Sequence, residues 1–287
     1  MIAQACTCLL LFGVSAEEFD RSLCELSLQV ASERIYRNDV VVTKVVLHNR
    51  SRRPVEFRQR FGGITGMVQF QRRVQGGEWG AVRCQNQSLL ASPRGRQQIL
   101  PGESYCCYEI ILGSDTFSWD TAGEFELQAV AHGVGFSIQS APVVIAVAEE
   151  AAVEQLPDKV GVSNLSRVVG PTSPFVLNSL DPTALKLRPE SELAINWKRS
   201  QVFVEWVSAS SADKAAAYAA VLKLIENSDL VTSERFTIGA AQQQIKQGKL
   251  AEARGLLKRL PHPSKLSSYL QTEVDKLDKL RPLPASN

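Results

Sequence analysis

The spacing of apolar residues changes partway along the chain. Up to about Val147 they recur at every second position, which is typical of half-buried β-strands. From about Ser211 onward they recur every three to four positions, which is the period of an amphipathic helix. The pattern therefore predicts an α+β protein in which a β module precedes a helical module.

The β module is expected to contain about seven or eight short strands with turns between most of them. The clearest alternation covers residues 41–47, and the glycines of residues 75–78 predict a hairpin turn. Residues 58–66 and 83–98 lack the alternation and are predicted as loops. Such a series is typical of an antiparallel immunoglobulin-like β-sandwich.

The helical module is divided by glycine and proline. Gly248 separates two helices, and Pro261 ends the second of them. The segment 192–207 is predicted as a helix, although Val202-Phe203-Val204 also fits a strand. Further helices are predicted at 213–225, 233–247, 250–260 and 265–280.

The first residues have the pattern of a secretory signal peptide. The uncharged apolar segment 5–14 leads to Val14-Ser15-Ala16, which suits signal peptidase, although no basic residue precedes it. An N-terminal apolar strand or arm is the alternative. Export predicts a secreted, periplasmic or cell-envelope protein, and no segment is long and apolar enough for a transmembrane helix. The predicted regions are a signal peptide at 1–16, a β-sandwich at 17–149, a proline-containing connector at 150–190, a helical domain at 191–281 and a flexible tail at 282–287.

Cleavage after Ala16 would leave four cysteines, all of them in the β module: Cys24, Cys84, Cys106 and Cys107. In an exported domain this even number allows a disulfide, and the alternative is that they are small buried side chains. Cys106 and Cys107 are adjacent in a predicted strand and must point to opposite faces, so only one of them can face the core.

The charges of the β module are unevenly distributed. Ten arginines lie between residues 50 and 96, and eight acidic residues lie between 97 and 150 with no lysine or arginine among them. One interpretation is a surface for an anionic polymer or a carbohydrate, with Trp119 stacking on a sugar. The alternative is that basic and acidic strands neutralise each other and that Trp119 packs in a core. The candidate ligand-binding residues are Arg58, Arg60, Arg72, Arg73 and Trp119.

No catalytic motif occurs in the sequence. The three histidines, His48, His132 and His262, lie far apart and have neither metal-ligand spacing nor an obvious nucleophile beside them. We therefore predict no enzyme activity, no metal site and no cofactor. Nucleic acid is not expected as a partner, because the basic segment lacks interleaved aromatic residues and export is predicted.

The segment from Glu234 to Leu260 resembles a tetratricopeptide unit. Ala241 matches the small position of its first helix, Gly248 lies at its turn, and Ala253 and Leu257 match positions of its second helix. Together with the turn motif Leu100-Pro101-Gly102-Glu103-Ser104, the order of the regions resembles exported bacterial proteins in which an immunoglobulin-like domain precedes tetratricopeptide-like helices. This resemblance brings no catalytic residues with it.

Taken together, these features predict a non-enzymatic exported interaction protein that binds a protein or peptide through sandwich loops or helical hairpins. The first alternative is a module that binds a carbohydrate or an anionic polymer of the cell envelope. The second alternative is an exported hydrolase with an unrecognised site.

Overall fold

The computed structural model describes residues 24–58, 68–82, 96–111, 119–133, 136–152, 188–261 and 265–280. The predicted signal peptide, the C-terminal tail and most of the connector lie outside these residues.

Strands occupy the N-terminal part of the described chain, as the alternating pattern predicts. They are β1 (Cys24–Val30), β2 (Arg34–Arg37), β3 (Val41–Asn49), β4 (Val55–Arg58), β5 (Val68–Val74), β6 (Gly80–Val82), β7 (Arg96–Ile99), β8 (Ser104–Ile111), β9 (Gly123–His132), β10 (Ser137–Gln139) and β11 (Val143–Ala151).

The strands form three sheets. One has the order β1-β3-β8, a second has the order β2-β11-β9-β5-β6 with β10 also paired to β9, and β4 and β7 form a two-stranded sheet. The pairing between strands is antiparallel except that β2 and β11 run parallel.

The two larger sheets share one hydrophobic core. Val45 and Leu47 of β3 belong to this core together with Leu127 of β9 and Ile145 of β11, and all four are fully buried. Because successive residues of a strand point to opposite faces, the alternating apolar positions of both sheets meet there.

Strand β3 is buried on its other face as well. Val42 and Lys44 point away from the shared core, yet each is only 1% exposed. The helices cover this face, so the strand is not half-buried as its sequence pattern predicts.

The described helices follow the strands. They are α1 (Glu192–Ser208), α2 (Lys214–Glu226), α3 (Leu230–Lys246), α4 (Leu250–Leu257) and α5 (Lys265–Lys279). The helices predicted from the sequence are confirmed within a few residues. The segment 192–207 is a helix rather than a strand, and Ser191 caps its start by accepting from the N–H of Ala194 at 3.1 Å.

Helices α3 and α4 form a hairpin around a second hydrophobic core. Gly248 has φ +72°, a left-handed conformation that favours glycine, so the chain can reverse between them. Leu257, Ala253 and Ile245 are all buried in this core, which confirms the predicted core position of Leu257.

The prediction of a loop at 83–98 is wrong for its last three residues. Arg96–Ile99 forms β7, and its pairing with β4 places Val55 opposite Ile99, both of them buried. The short strands β2 and β10 also had no clear signal, because three or four residues are too few to establish a period.

Candidate functional site

Strand β1 has an open edge. It pairs with β3 along its whole length, and no other strand of the described residues pairs with its opposite side. A strand edge of this kind presents main-chain N–H and C=O groups that can hydrogen-bond to another extended chain.

The ladder between β1 and β3 shows which main-chain groups face outward. The N–H of Ala31 donates to the carbonyl of Val42 at 2.9 Å, so Ala31 points its main-chain groups toward β3. In an antiparallel pair this direction alternates along the strand. The main-chain groups that face the open edge therefore belong to Cys24, Leu26, Leu28 and Val30.

Two cavities lie along this edge. The first has a volume of about 530 Å³ and lies between the start of β1 and β10, where it is lined by Cys24, Glu25, Leu26, Arg50, Ser137, Ile138 and Gln139. The second has a volume of about 310 Å³ and lies between the end of β1, the start of β11 and the N-terminus of α3, where it is lined by Leu28, Gln29, Val30, Glu33, Val143, Asp229, Leu230 and Val231. We call the open edge with its two cavities the β1 groove.

The two ends of the β1 groove differ in charge. At the first cavity Glu25 forms an ion pair with Arg50, so the charges there balance. Among the described residues, the lining of the second cavity includes the acids Glu33 and Asp229 but no lysine or arginine. Arg199 is within salt-bridge distance of Asp229, at 3.5 Å between Nη1 and Oδ2, but it is not one of the described lining residues.

The helices are attached to the β module by a buried polar cluster. The Nζ of Lys44 lies 2.6 Å from Oε2 of Glu234 on α3, and the hydroxyl of Tyr108 donates to the same carboxylate. Burial first, and then the neighbouring Cys106 and Glu234, raise the pKa of Tyr108 well above its usual range, so Tyr108 keeps its proton.

Asp39 makes a second link between the modules. Its carboxylate accepts from the N–H of Leu193 at 2.8 Å and from that of Glu192 at 3.0 Å, and thereby satisfies the first turn of α1. Burial raises the pKa of Asp39, while these main-chain hydrogen bonds act in the opposite direction.

The candidate arginines do not form a common basic surface in the described chain. The side chain of Arg58 and the whole of Arg60 lie outside the described residues. Arg73 forms an ion pair with Glu126 on the neighbouring strand β9, and the register places the two residues opposite each other. This pair supports the alternative in which basic and acidic strands neutralise each other.

Trp119 does not lie at the surface as a sugar-stacking residue would. Its indole is fully buried and packs edge-on against Phe125, with the ring centroids 5.9 Å apart, so it cannot stack on a sugar at the surface. The guanidinium of Arg72 lies over the same two rings, 5.1 Å from that of Phe125, and burial lowers the pKa of Arg72. Arg72 and Trp119 therefore belong to a packed cluster and do not form an open platform for a ligand.

Three of the candidate disulfide cysteines, Cys24, Cys106 and Cys107, are buried and carry their sulfur as a thiol, and Cys84 lies outside the described residues. Cys107 faces the shared core, whereas Cys106 points to the opposite face of the sheet beside Tyr108 and Lys44. The opposite orientations are as expected, but both thiols are buried because the helices cover the second face. Burial raises the pKa of Cys106 to about 11, so this thiol stays protonated at neutral pH.

The described residues contain little that resembles a reaction centre. His48 contacts the hydroxyl of Ser104 at 2.9 Å and His132 contacts Gln69 at 3.1 Å, each across neighbouring strands. No three His, Cys, Asp or Glu side chains gather as metal ligands within the described ranges. None of the helices described is long and apolar enough to cross a membrane.

Sequence reasoning missed the residues that form the links between the modules. Lys44 occupies an outward strand position where a charged residue is ordinary, and Asp39 lies in a turn where an acid is equally ordinary. The strongest available signal was the valine-rich segment around Lys44, because Val42 and Val46 place apolar side chains on its outward face.

Comparison with known proteins adds little. No family model and no curated protein match the chain. Sporulation control protein Spo0M from Bacillus subtilis matches with TM-score 0.30 and 16% identity over 51% of this chain and 53% of that chain. A CARDB domain from Pyrococcus furiosus matches with TM-score 0.27 and 8% identity over 44% of this chain and 94% of that chain. A β-glucosidase from Erythrobacter marinus matches with TM-score 0.26 and 16% identity over 44% of this chain and 15% of that enzyme. The chain thus spans about half of Spo0M and a small part of the glucosidase, and likeness at these TM-scores supports no inference about function.

Proposed function

We propose that the protein is a non-enzymatic interaction protein that binds an extended segment of a partner polypeptide in the β1 groove. The observation that carries this proposal is the open edge of β1, where the main-chain groups of four alternate residues face two cavities. An added strand satisfies such groups along its whole length, whereas a compact small molecule reaches only a few of them.

The proposal also includes an immunoglobulin-like sandwich, a tetratricopeptide-like helical hairpin and export from the cytoplasm. The shared core of two sheets supports an immunoglobulin-like sandwich. The hairpin of α3 and α4 supports tetratricopeptide-like packing, because Ala241 and Ala253 are fully buried where small residues let two helices approach. Export rests on the apolar segment 5–14, and the partner would then be a protein of the cell envelope or the exterior.

The two alternatives gain no support from the described residues. A surface for an anionic polymer needs free arginines, yet Arg73 is paired with Glu126 and Arg72 is packed over buried rings. A hydrolase needs a base and a nucleophile that both reach a substrate cleft. His48 contacts the hydroxyl of Ser104 and His132 contacts Gln69, but neither histidine is among the described residues that line the two cavities.

Amide hydrogen exchange of the full chain tests the proposal, with a synthetic heptapeptide of alternating valine and threonine as the probe. We expect the amides of Leu26, Leu28 and Val30 to exchange fast in the free protein and to become protected when the peptide is added. The amides of Ser27 and Gln29 bond toward β3 and serve as internal controls that stay protected throughout. A peptide N-methylated at alternate residues lacks the required donors and should not protect the edge.

Two tryptophan substitutions, one inside the β1 groove and one outside it, form a matched pair of variants. Ser137→Trp places a large ring in the first cavity and should weaken peptide binding, while Val144→Trp adds the same ring at an exposed position outside both cavities and should not. Edge amides that are already protected in the free protein would mean that another part of this chain occupies the edge. That result would overturn the proposal, as would a peptide that never alters their exchange.

A further inference from the structure

We infer that the bound segment carries a lysine or arginine where it passes the second cavity of the β1 groove. This inference rests on the proposed function and adds the chemical class of the partner segment. It follows from the carboxylates of Glu33 and Asp229, which line a cavity where the structure describes no lysine or arginine in the lining.

Arg199 compensates only one of the two acids, Asp229. Arg199 is within 3.5 Å of Asp229, and the second oxygen of Asp229 accepts from the N–H of Thr232 at 2.9 Å, so this carboxylate is partly satisfied. Glu33 is exposed at the cavity rim.

The lining also suits the aliphatic part of a long basic side chain. Leu230 begins α3 with 57% of its surface exposed, and it lines the cavity together with Val143 and Asp229. A lysine or arginine can lay its methylene groups on such a leucine while its charged end reaches the acids at the rim. An acidic or short side chain gains neither contact.

The other end of the groove gives no such preference. Glu25 and Arg50 already form an ion pair there, so an added charge of either sign meets both a like and an opposite charge. The charge requirement is therefore confined to one end of the segment and would also fix the direction in which the segment lies.

Peptide variants test this requirement with the full chain. The alternating valine–threonine heptapeptide is synthesised with lysine, glutamine or glutamate at one end, and in a second series at the other end, because an added strand can run parallel or antiparallel to β1. Dissociation constants are measured by fluorescence polarisation at low and at high salt. In one of the two series we expect binding to weaken about three- to tenfold from lysine to glutamine and further to glutamate, with the differences shrinking at high salt.

Substitutions of Glu33 test whether the second cavity causes the preference for a lysine peptide. Glu33→Gln should reduce the difference between lysine and glutamine peptides, and Glu33→Lys should favour the glutamate peptide. Glu78→Gln removes an exposed acid in the β5–β6 turn and should leave the series unchanged. Equal affinities for all three end residues would overturn the inference while the proposed function stands, and a lysine preference that survives Glu33→Lys would overturn it as well. If no peptide binds in any series, the proposed function itself is wrong.

Discussion

Lys44 and Glu234 form a buried ion pair across 190 residues of sequence, with the ammonium nitrogen 2.7 Å from one carboxylate oxygen and 2.6 Å from the other. Lys44 is 1% exposed in the central strand of the β1-β3-β8 sheet, and Glu234 is 3% exposed in α3. Because both charges are desolvated, each needs the other, and the pair fixes the position of α3 on the sheet.

The first prediction concerns this pair. Glu234→Gln keeps an acceptor for the hydroxyl of Tyr108 but leaves the charge of Lys44 uncompensated, so the free energy of unfolding should fall by about 3–5 kcal/mol. Chemical denaturation of the full chain measures it. The double variant Lys44→Met, Glu234→Gln should recover much of the loss, because no unpaired charge remains buried.

A surface ion pair provides the control for this experiment. Arg254 of α4 contacts Asp275 and Asp278 of α5 on the outside of the helices. Arg254→Gln should change stability far less than Glu234→Gln, because water screens exposed charges. An equal effect of the two substitutions would mean that the pair of Lys44 and Glu234 is open to solvent.

The second prediction concerns the start of α1. Asp39→Ala removes the acceptor of the N–H groups of Glu192 and Leu193, which should cost about 1–3 kcal/mol because these donors are partly or fully buried. Asp213→Ala is the matched control, since Asp213 occupies the N-cap of α2 without a capping hydrogen bond from its side chain. Similar losses for the two variants, measured by denaturation, would contradict the role of Asp39.

Local patterns could predict only part of this structure. The alternation in 41–47 correctly places Val45 and Leu47 inward, and the uneven charges anticipate a cross-strand pair such as Arg73 with Glu126. The burial of Lys44 could not be predicted, because it depends on a helix far away in sequence. A period reports which face of a strand is apolar, and it does not report what covers the other face.

The β1 groove also could not be predicted from the sequence. The core-facing side chains of Leu26 and Leu28 follow from alternation, but an inner strand and an edge strand can share that pattern. Whether β1 has a second neighbour depends on which strands pair in space. The acids at the second cavity come from Glu33 and Asp229, which only the docking of α3 brings together.

The third prediction concerns pH. Burial, followed by the charge of Asp39, raises the pKa of Glu192 from its usual 4.5 to about 6. Between about pH 4.5 and 6, Glu192 of the folded protein still holds a proton that the unfolded chain has released. The free energy of unfolding therefore falls as pH rises through this window, by about 2 kcal/mol in total. Glu192→Gln cannot titrate. Its stability relative to the original protein should therefore rise across this window and stay level above it.

Denaturation at pH values below, within and above the window measures this difference. Glu190→Gln is the matched control, because it removes the same formal charge two residues earlier at an exposed position. A constant difference between Glu192→Gln and the original protein at every pH would show that Glu192 is solvated in the folded state.

The last prediction concerns the helical core. Leu257 is 8% exposed in α4 and packs in the same cluster as Ile245 of α3. Leu257→Ala removes buried methyl groups and leaves a cavity, so it should lower the free energy of unfolding by about 2–5 kcal/mol. Leu280→Ala removes the same groups from a leucine that is 70% exposed and should change little. Because Lys44 and Glu234 join the modules, the far-ultraviolet signals of helix and sheet should be lost together at the lower melting temperature. If the helical signal alone is lost early, the buried pair does not couple the two modules, and if the melting temperature is unchanged, Leu257 is not part of the core.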